Sequence, residues 1–249
     1  MPLPDLVLVH GGEHAGDCWD LTVAELRRQE PELRILAVDL PGRSSKPGEL
    51  AAATIGAWVD SVVGDIDDAG FGELVIVGHS MAGVTVPGVV ARLGSSRVRE
   101  MVLAAAFVPR QGEAIVDTLD GPLAWFARRG AERGKPLKVP AFAARYAFCN
   151  GMTREQRQFA MSRLYPEAVA IGIEPVDRRD LPADVPRTWI LTTRDRALSV
   201  ASQQRSIDAL GGVQTVIEVD TCHDLMISHP NRTARILIDR CRQYEKSVR

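Results

Sequence analysis

Ser80 stands in the stretch Gly78-His79-Ser80-Met81-Ala82-Gly83, between a run of apolar β-formers and a helical pattern. A serine on a sharp strand-to-helix turn holds its hydroxyl at the open end of a sheet. Such a turn crowds its neighbours, and the small residues two before and two after it, Gly78 and Ala82, relieve that crowding. The usual pattern carries glycine where Ala82 stands, a departure of one methyl group. Gly83 permits close packing of the following helix, whose N-terminus favours developing negative charge. Ser80 is therefore the candidate nucleophile, with an N-capping serine as the competing reading.

A serine nucleophile needs a base, and histidine suits neutral pH. Among His10, His14, His79, His223 and His229, His223 stands out: it follows the last β-rich run within Asp220-Thr221-Cys222-His223 and precedes the final helix. That puts it at the carboxyl edge of the sheet, the edge that carries Ser80. His79 adjoins the nucleophile, so its side chain should point elsewhere, and His229 opens the last helix. The base needs a carboxylate to fix its tautomer. Asp195, just past the fifth β-rich run, is the candidate, with Glu113 in reserve, and Asp224 beside His223 is expected to cap its loop. An acyl-transfer site also needs N–H donors where the carbonyl oxygen gains charge. His10-Gly11-Gly12 follows the first β-rich run, so the N–H groups of Gly12 and Met81 are the oxyanion candidates. His10 and His14 stand four apart, but no carboxylate-rich helix accompanies them, so loop packing is preferred over metal binding.

These residues need a scaffold that brings distant segments to one edge. Six short apolar runs, Leu6 to Val9, Arg34 to Asp39, Glu73 to Gly78, Val98 to Ala106, Arg187 to Thr193 and Val213 to Val219, suit strands buried on both faces. Helical patterns alternate with them at Asp20 to Gln29, Thr54 to Ala69, Ser80 to Leu93, Ala201 to Leu210 and Pro230 to Tyr244. Regular alternation predicts an α/β fold, a mostly parallel six-stranded sheet with helices on both faces. The alternation breaks over 109–186, where helical stretches such as Leu123 to Arg133 and Arg154 to Leu164 stand without a strand. A bare loop of that length is uncommon, so 109–186 is expected to be a helical cap inserted in a core of 1–108 and 187–249. Trp125, Phe126, Phe142, Tyr146 and Phe148 in this segment suit cap core as well as pocket lining, and core is the preferred reading. Gly11 is a further candidate for the pocket wall.

Composition narrows the function classes. The chain has 249 residues, 45% hydrophobic and 25% charged, with net charge −2, which is ordinary for one large globular domain. A nucleic-acid binder would need a basic footprint that is absent here. The longest apolar stretch, Met101 to Val108, falls short of the ~18 residues that span a bilayer. No signal-peptide core precedes the first strand, and four cysteines without Cys-x-x-Cys spacing make neither a disulfide scaffold nor a zinc site. The expectation is a soluble cytoplasmic protein with reduced thiols. It acts on a small molecule, with no nucleic-acid or membrane partner, and monomer and homodimer both stay open.

The combined motifs resemble the α/β-hydrolase superfamily over nearly the whole chain. They are most similar to its methylesterase and hydroxynitrile-lyase-like branch. The resemblance rests on Val9-His10-Gly11-Gly12 with His14 and Trp19, on Val38-Asp39-Leu40-Pro41-Gly42, on Gly78-His79-Ser80-Met81, on Ser162-Arg163-Leu164, on Thr193-Arg194-Asp195-Arg196-Ala197 and on Asp220-Thr221-Cys222-His223. It implies a Ser80-His223-Asp195 triad in that chain order, a Gly12 and Met81 oxyanion hole, and no metal or organic cofactor. The branch's lyases carry a hydroxyl in the oxyanion loop and a lysine beside the catalytic histidine. Gly11 and Asp224 stand at those positions, which disfavours cyanohydrin cleavage. The expected activity is hydrolysis of a small to medium carboxylic ester or lactone through an acyl-enzyme. The alternatives are a cofactor-independent lyase or C–C hydrolase on the same triad, and a non-catalytic small-molecule receptor.

Overall fold

Along each central strand, alternate side chains enter two different cores. The structure, a computed structural model, describes residues 3–43, 45–119 and 138–245. Its strands are β1 (Asp5–Val9), β2 (Ile35–Val38), β3 (Leu74–His79), β4 (Val98–Ala104), β5 (Arg187–Thr192) and β6 (Thr215–Val219). They pair in the order β2-β1-β3-β4-β5-β6, every pairing parallel. Val7, Val9, Ile76, Leu103, Trp189 and Leu191 face one side. There they meet Trp58, Val62 and Ile66 of α2 (Ile55–Asp68) and Val89 and Val90 of α3 (Val86–Leu93). Leu6, Leu8, Val75, Val77, Val102 and Ile190 face the other side. They meet Leu26 of α1 (Asp20–Gln29) and Ala234 and Leu237 of α9 (Pro230–Arg242). The period-2 alternation of a pleated strand sorts the residues in this way, and burial on both faces explains why the runs are continuously apolar.

The strand order explains where a site can form. From β1 the chain steps outward to β2, then returns to place β3 on the other side of β1. The segments leaving β1 and β3 therefore diverge and open a crevice at the carboxyl ends, the usual ligand position in such sheets. Gly11 and Gly12 leave β1, and Ser80 leaves β3, at that crevice.

The remaining α-helices of the described residues are α4 (Ala141–Phe148), α5 (Arg154–Ser162), α6 (Val169–Ile173), α7 (Val200–Ala209) and α8 (Leu225–Ser228). No strand occurs among the described residues of 109–186. The stretch Leu123 to Arg133, read as helical, lies outside the described residues. One expected helix is corrected: Ser80 to Leu93 is not continuous, because Ser80–Gly83 is a 3-10 turn and α3 begins at Val86. Pro87 explains the break, since proline lacks an N–H and fits only the first turn of a helix. Among the described residues no helix is long and apolar enough to cross a membrane.

At the end of the sheet away from the crevice, Glu100 of β4 accepts Arg240 Nε of α9 at 2.9 Å and Arg240 Nη2 at 2.7 Å. Thr188 Oγ1 donates to the same carboxylate at 2.5 Å, and Glu100 is fully buried. Glu100→Ala would strand the guanidinium, so we expect a loss of about 3–5 kcal/mol in urea unfolding. Activity per folded molecule should stay unchanged.

Candidate active site

Ser80 has φ 54°, a left-handed conformation that a non-glycine residue adopts only under constraint. The constraint is visible on both sides of it. A Cβ on Gly11 would sit 2.7 Å from the Ser80 Cβ, so β1's exit loop lies directly against the serine. A Cβ on Gly83 would sit 2.3 Å from the Phe107 carbonyl oxygen, and the Phe107 N–H donates to the Ser80 carbonyl at 2.9 Å. Gly83 thus makes room for the chain leaving β4, which corrects its expected role in helix packing.

Three side chains from distant segments meet at this turn. His223 Nε2 lies 2.8 Å from Ser80 Oγ, and His223 Nδ1 lies 2.7 Å from Asp195 Oδ2. The Asp195 carboxylate also accepts Thr192 Oγ1 at 2.8 Å, Ala197 N–H at 2.8 Å and Leu198 N–H at 2.7 Å. Burial alone would raise its pKa, but the facing His223 and these donors hold it below the usual carboxylate range. Burial likewise pulls His223 down, and Asp195's charge and hydrogen bond outweigh it, so the imidazole titrates above 6.5. A carboxylate on Nδ1 leaves Nε2 as the acceptor for the serine proton. Glu113, the reserve carboxylate, instead lines an open cleft of about 580 Å³ with Arg205 and Asp208.

His79 has a role that sequence reading left open. Its Nε2–H donates to the His223 backbone carbonyl at 3.1 Å, and its ring lies 4.8 Å from the His223 ring. Burial first, and then the neighbouring His223, push His79 down to about 3, so it stays neutral. The residue before the serine therefore pins the backbone of the base. Asp224 is also corrected: its side chain does not cap α8 but reaches His14 Nε2 at 3.1 Å. His229 does precede α9, and its Nδ1 lies 2.8 Å from Thr221 Oγ1.

The expected pocket residues separate. Phe142 and Tyr146 are 79% and 63% exposed and belong to neither core. They line an open cleft of about 370 Å³ with Arg145 and Arg196. Phe148, the last residue of α4, stacks on His223 with ring centroids 5.5 Å apart. Trp125 and Phe126 lie outside the described residues. Gly12 faces Met81, whose Sδ would lie 3.4 Å from a Cβ on that glycine. The Gly11 carbonyl is bonded by His10 Nδ1 at 2.8 Å. In a trans peptide C=O and N–H point oppositely, so the Gly12 N–H is turned away from His10. Met81 is the second residue of the 3-10 turn, where N–H groups lack partners within the turn.

One group among the described residues, His79, His223 and Asp224, brings metal-ligand atoms within 4.8 Å of one another. Both His223 nitrogens are already directed at Ser80 and Asp195, and His79 Nε2 at a carbonyl. The trio fits a hydrogen-bond network better than a coordination shell.

Comparison with known proteins adds an independent line. The model of the alpha/beta hydrolase family matches residues 6–236. A carbendazim hydrolyzing esterase of Nocardioides sp. (strain SG-4G) is 26% identical over 248 residues, covering 94% of this chain and 98% of that one. A pyrethroid hydrolase of Sphingobium wenxiniae is 23% identical over 257 residues, covering 96% and 88%. An extracellular alpha/beta-hydrolase from a Paenibacillus species, described as sharing structural and functional homology with tobacco salicylic acid binding protein 2, superposes with a TM-score of 0.85. It is 21% identical and covers 95% of this chain and 98% of its own.

Proposed function

Because the chain belongs to the alpha/beta hydrolase family and is an enzyme of that fold, we propose that it is a serine esterase cleaving small to medium carboxylic esters or lactones. The observation that carries this reading is the unbroken Ser80–His223–Asp195 hydrogen-bond chain on a left-handed serine. Ser80 Oγ adds to the ester carbonyl as His223 Nε2 takes its proton. The N–H groups of Gly12 and Met81 receive the oxyanion. Collapse breaks the C–O bond, and the alcohol leaves with the proton from His223. Water then adds to the acyl-enzyme by the same route and releases the acid and the serine. Asp195 holds the imidazole tautomer throughout. Every step uses side chains and N–H groups of the chain itself.

We take 109–186 as a cap over a core of 1–108 and 187–249. It is supported by the docking of α5 beside α8: Gln156 Nε2 donates to the carbonyls of Ile227 and Ser228 at 3.0 and 2.9 Å. Asp224, committed to His14, offers no cation to a cyanide leaving group. Four buried free thiols suit a reducing compartment, which supports a cytoplasmic setting. The substrate is tested with a panel of methyl, aryl and lactone substrates together with carbendazim and a pyrethroid. Release of acid and alcohol from at least one ester is expected, whereas cleavage of none would refute the reading.

The pH profile follows from the base. His223 must be neutral to accept the serine proton, and Asp195 raises it above 6.5. We therefore expect kcat/KM to rise with pH on its acid limb, with a midpoint above 6.5. A profile in buffered p-nitrophenyl ester assays checks this.

A further inference from the structure

The loop that presents Gly12 is held by four charged side chains from four segments. His14 is fully buried, and both of its ring nitrogens face acceptors. Nδ1 lies 2.7 Å from the Gly12 carbonyl oxygen and Nε2 lies 3.1 Å from Asp224 Oδ2. Only the imidazolium, with two N–H groups, satisfies both bonds to a carbonyl and a carboxylate. Burial pulls His14 down, but Asp224's charge and hydrogen bond outweigh it and raise it to about 9. Asp224, against the pull of its own burial, is lowered by the facing His14.

The opposite end of the same peptide meets an anion. The Glu13 N–H donates to Glu167 Oε2 at 2.7 Å, and the Ala168 N–H donates to Glu167 Oε1 at 2.7 Å. Arg43 Nη2 pairs with Glu167 Oε2 at 2.7 Å, while Arg43 Nε donates to the His14 carbonyl at 2.5 Å. Burial raises Glu167 above the usual carboxylate range, and Arg43 and the two N–H donors offset part of that rise. The Gly12–Glu13 peptide thus lies between a buried cation on its C=O and a buried anion on its N–H. The contacts run Asp224, His14, peptide, Glu167, Arg43 and back to His14. Asp224 comes from beyond β6, Arg43 from beyond β2 and Glu167 from between β4 and β5.

We propose that Asp224, His14, Glu167 and Arg43 are positioning residues that hold the oxyanion loop, and through it the Gly12 N–H, in register with Ser80. This rests on the oxyanion role given to Gly12 above. None of the four needs to touch the substrate. Each fixes a neighbouring peptide, and a donor misplaced by about 1 Å costs about 100-fold in rate. The expected signature is a loss in kcat with little change in KM, because the ground-state carbonyl gains little from the donor.

The test uses Asp224→Asn and Glu167→Gln, which remove charge at either end while keeping shape. We expect each to lower kcat on a p-nitrophenyl ester by about 100-fold with KM within about twofold. The inhibition constant of an aryl trifluoromethyl ketone should rise by a similar factor. Ser80 Oγ adds to that ketone, passing its proton to His223, and the resulting alkoxide occupies the same donors. A variant with wild-type kcat refutes the network, as does one whose kcat falls while the ketone binds unchanged. Should Asp224→Asn not fold, Glu167→Gln at the far end decides. A wild-type protein without Ser80-dependent ester cleavage would instead refute the functional reading, and this inference with it.

Discussion

Ser80→Ala should lower kcat on a p-nitrophenyl ester by about 10⁶-fold. The hydroxyl 2.8 Å from His223 Nε2 is the atom that forms the acyl-enzyme, and no other hydroxyl occupies that position. Without it His223 can activate only water, and no acyl-enzyme can form. Alanine keeps the Cβ that packs against Gly11, so the loop beside it should remain in place. Ser80 is only 7% exposed, and losing its one hydroxyl to a cavity edge removes little packing. The expected result is a folded protein with an unchanged melting temperature and a rate near background. Initial rates corrected for spontaneous hydrolysis, with a thermal scan of the same sample, check both halves.

The second large effect belongs to Asp195→Asn, expected to lower kcat by about 10⁴-fold. The carboxylate accepts from Thr192 Oγ1, Ala197 N–H, Leu198 N–H and His223 Nδ1, so its acceptor capacity is full. An amide must turn either its oxygen or its NH2 toward Nδ1. If the oxygen serves the Ala197 and Leu198 N–H groups, the NH2 faces the ring and Nδ1 must become the acceptor. Nε2 then carries the proton and cannot take one from Ser80. The pH profile separates this from simple loss of structure. Asp195's charge is what lifts His223 above 6.5, so its removal should move the acid limb of kcat/KM to lower pH. A rate loss with an unmoved limb would contradict the assignment of Asp195.

Much of the scaffold was legible because each central strand is buried on both faces and reads as an apolar run. Helix Asp20–Gln29 forms at its expected bounds, ahead of Pro31. Ser80, Asp195 and His223 could be named because strand ends in a parallel sheet converge on one edge whatever their distance along the chain. Helix phase was not legible in the segment after β4. Phe142 and Tyr146 are four apart on one face of α4, and Ala144 and Phe148 are four apart on another. Both pairs fit helical spacing equally, and only packing against the core selects the pair of buried Ala144 and half-buried Phe148. Asp224 was read as a local cap because short polar residues after a turn usually serve one. Its actual partner, His14, lies 210 residues away, beyond the reach of local patterning. The same applies to Glu167 and Glu13, 154 residues apart.

The central claim is that catalysis passes through a covalent ester on Ser80. Intact-mass spectrometry of protein quenched in acid during turnover of a p-nitrophenyl ester tests it most directly. The account predicts one added acyl group, mapped to the peptide that contains Ser80 and absent from Ser80→Ala. Rapid turnover with no adduct there, or an adduct on another residue that persists in Ser80→Ala, would contradict it.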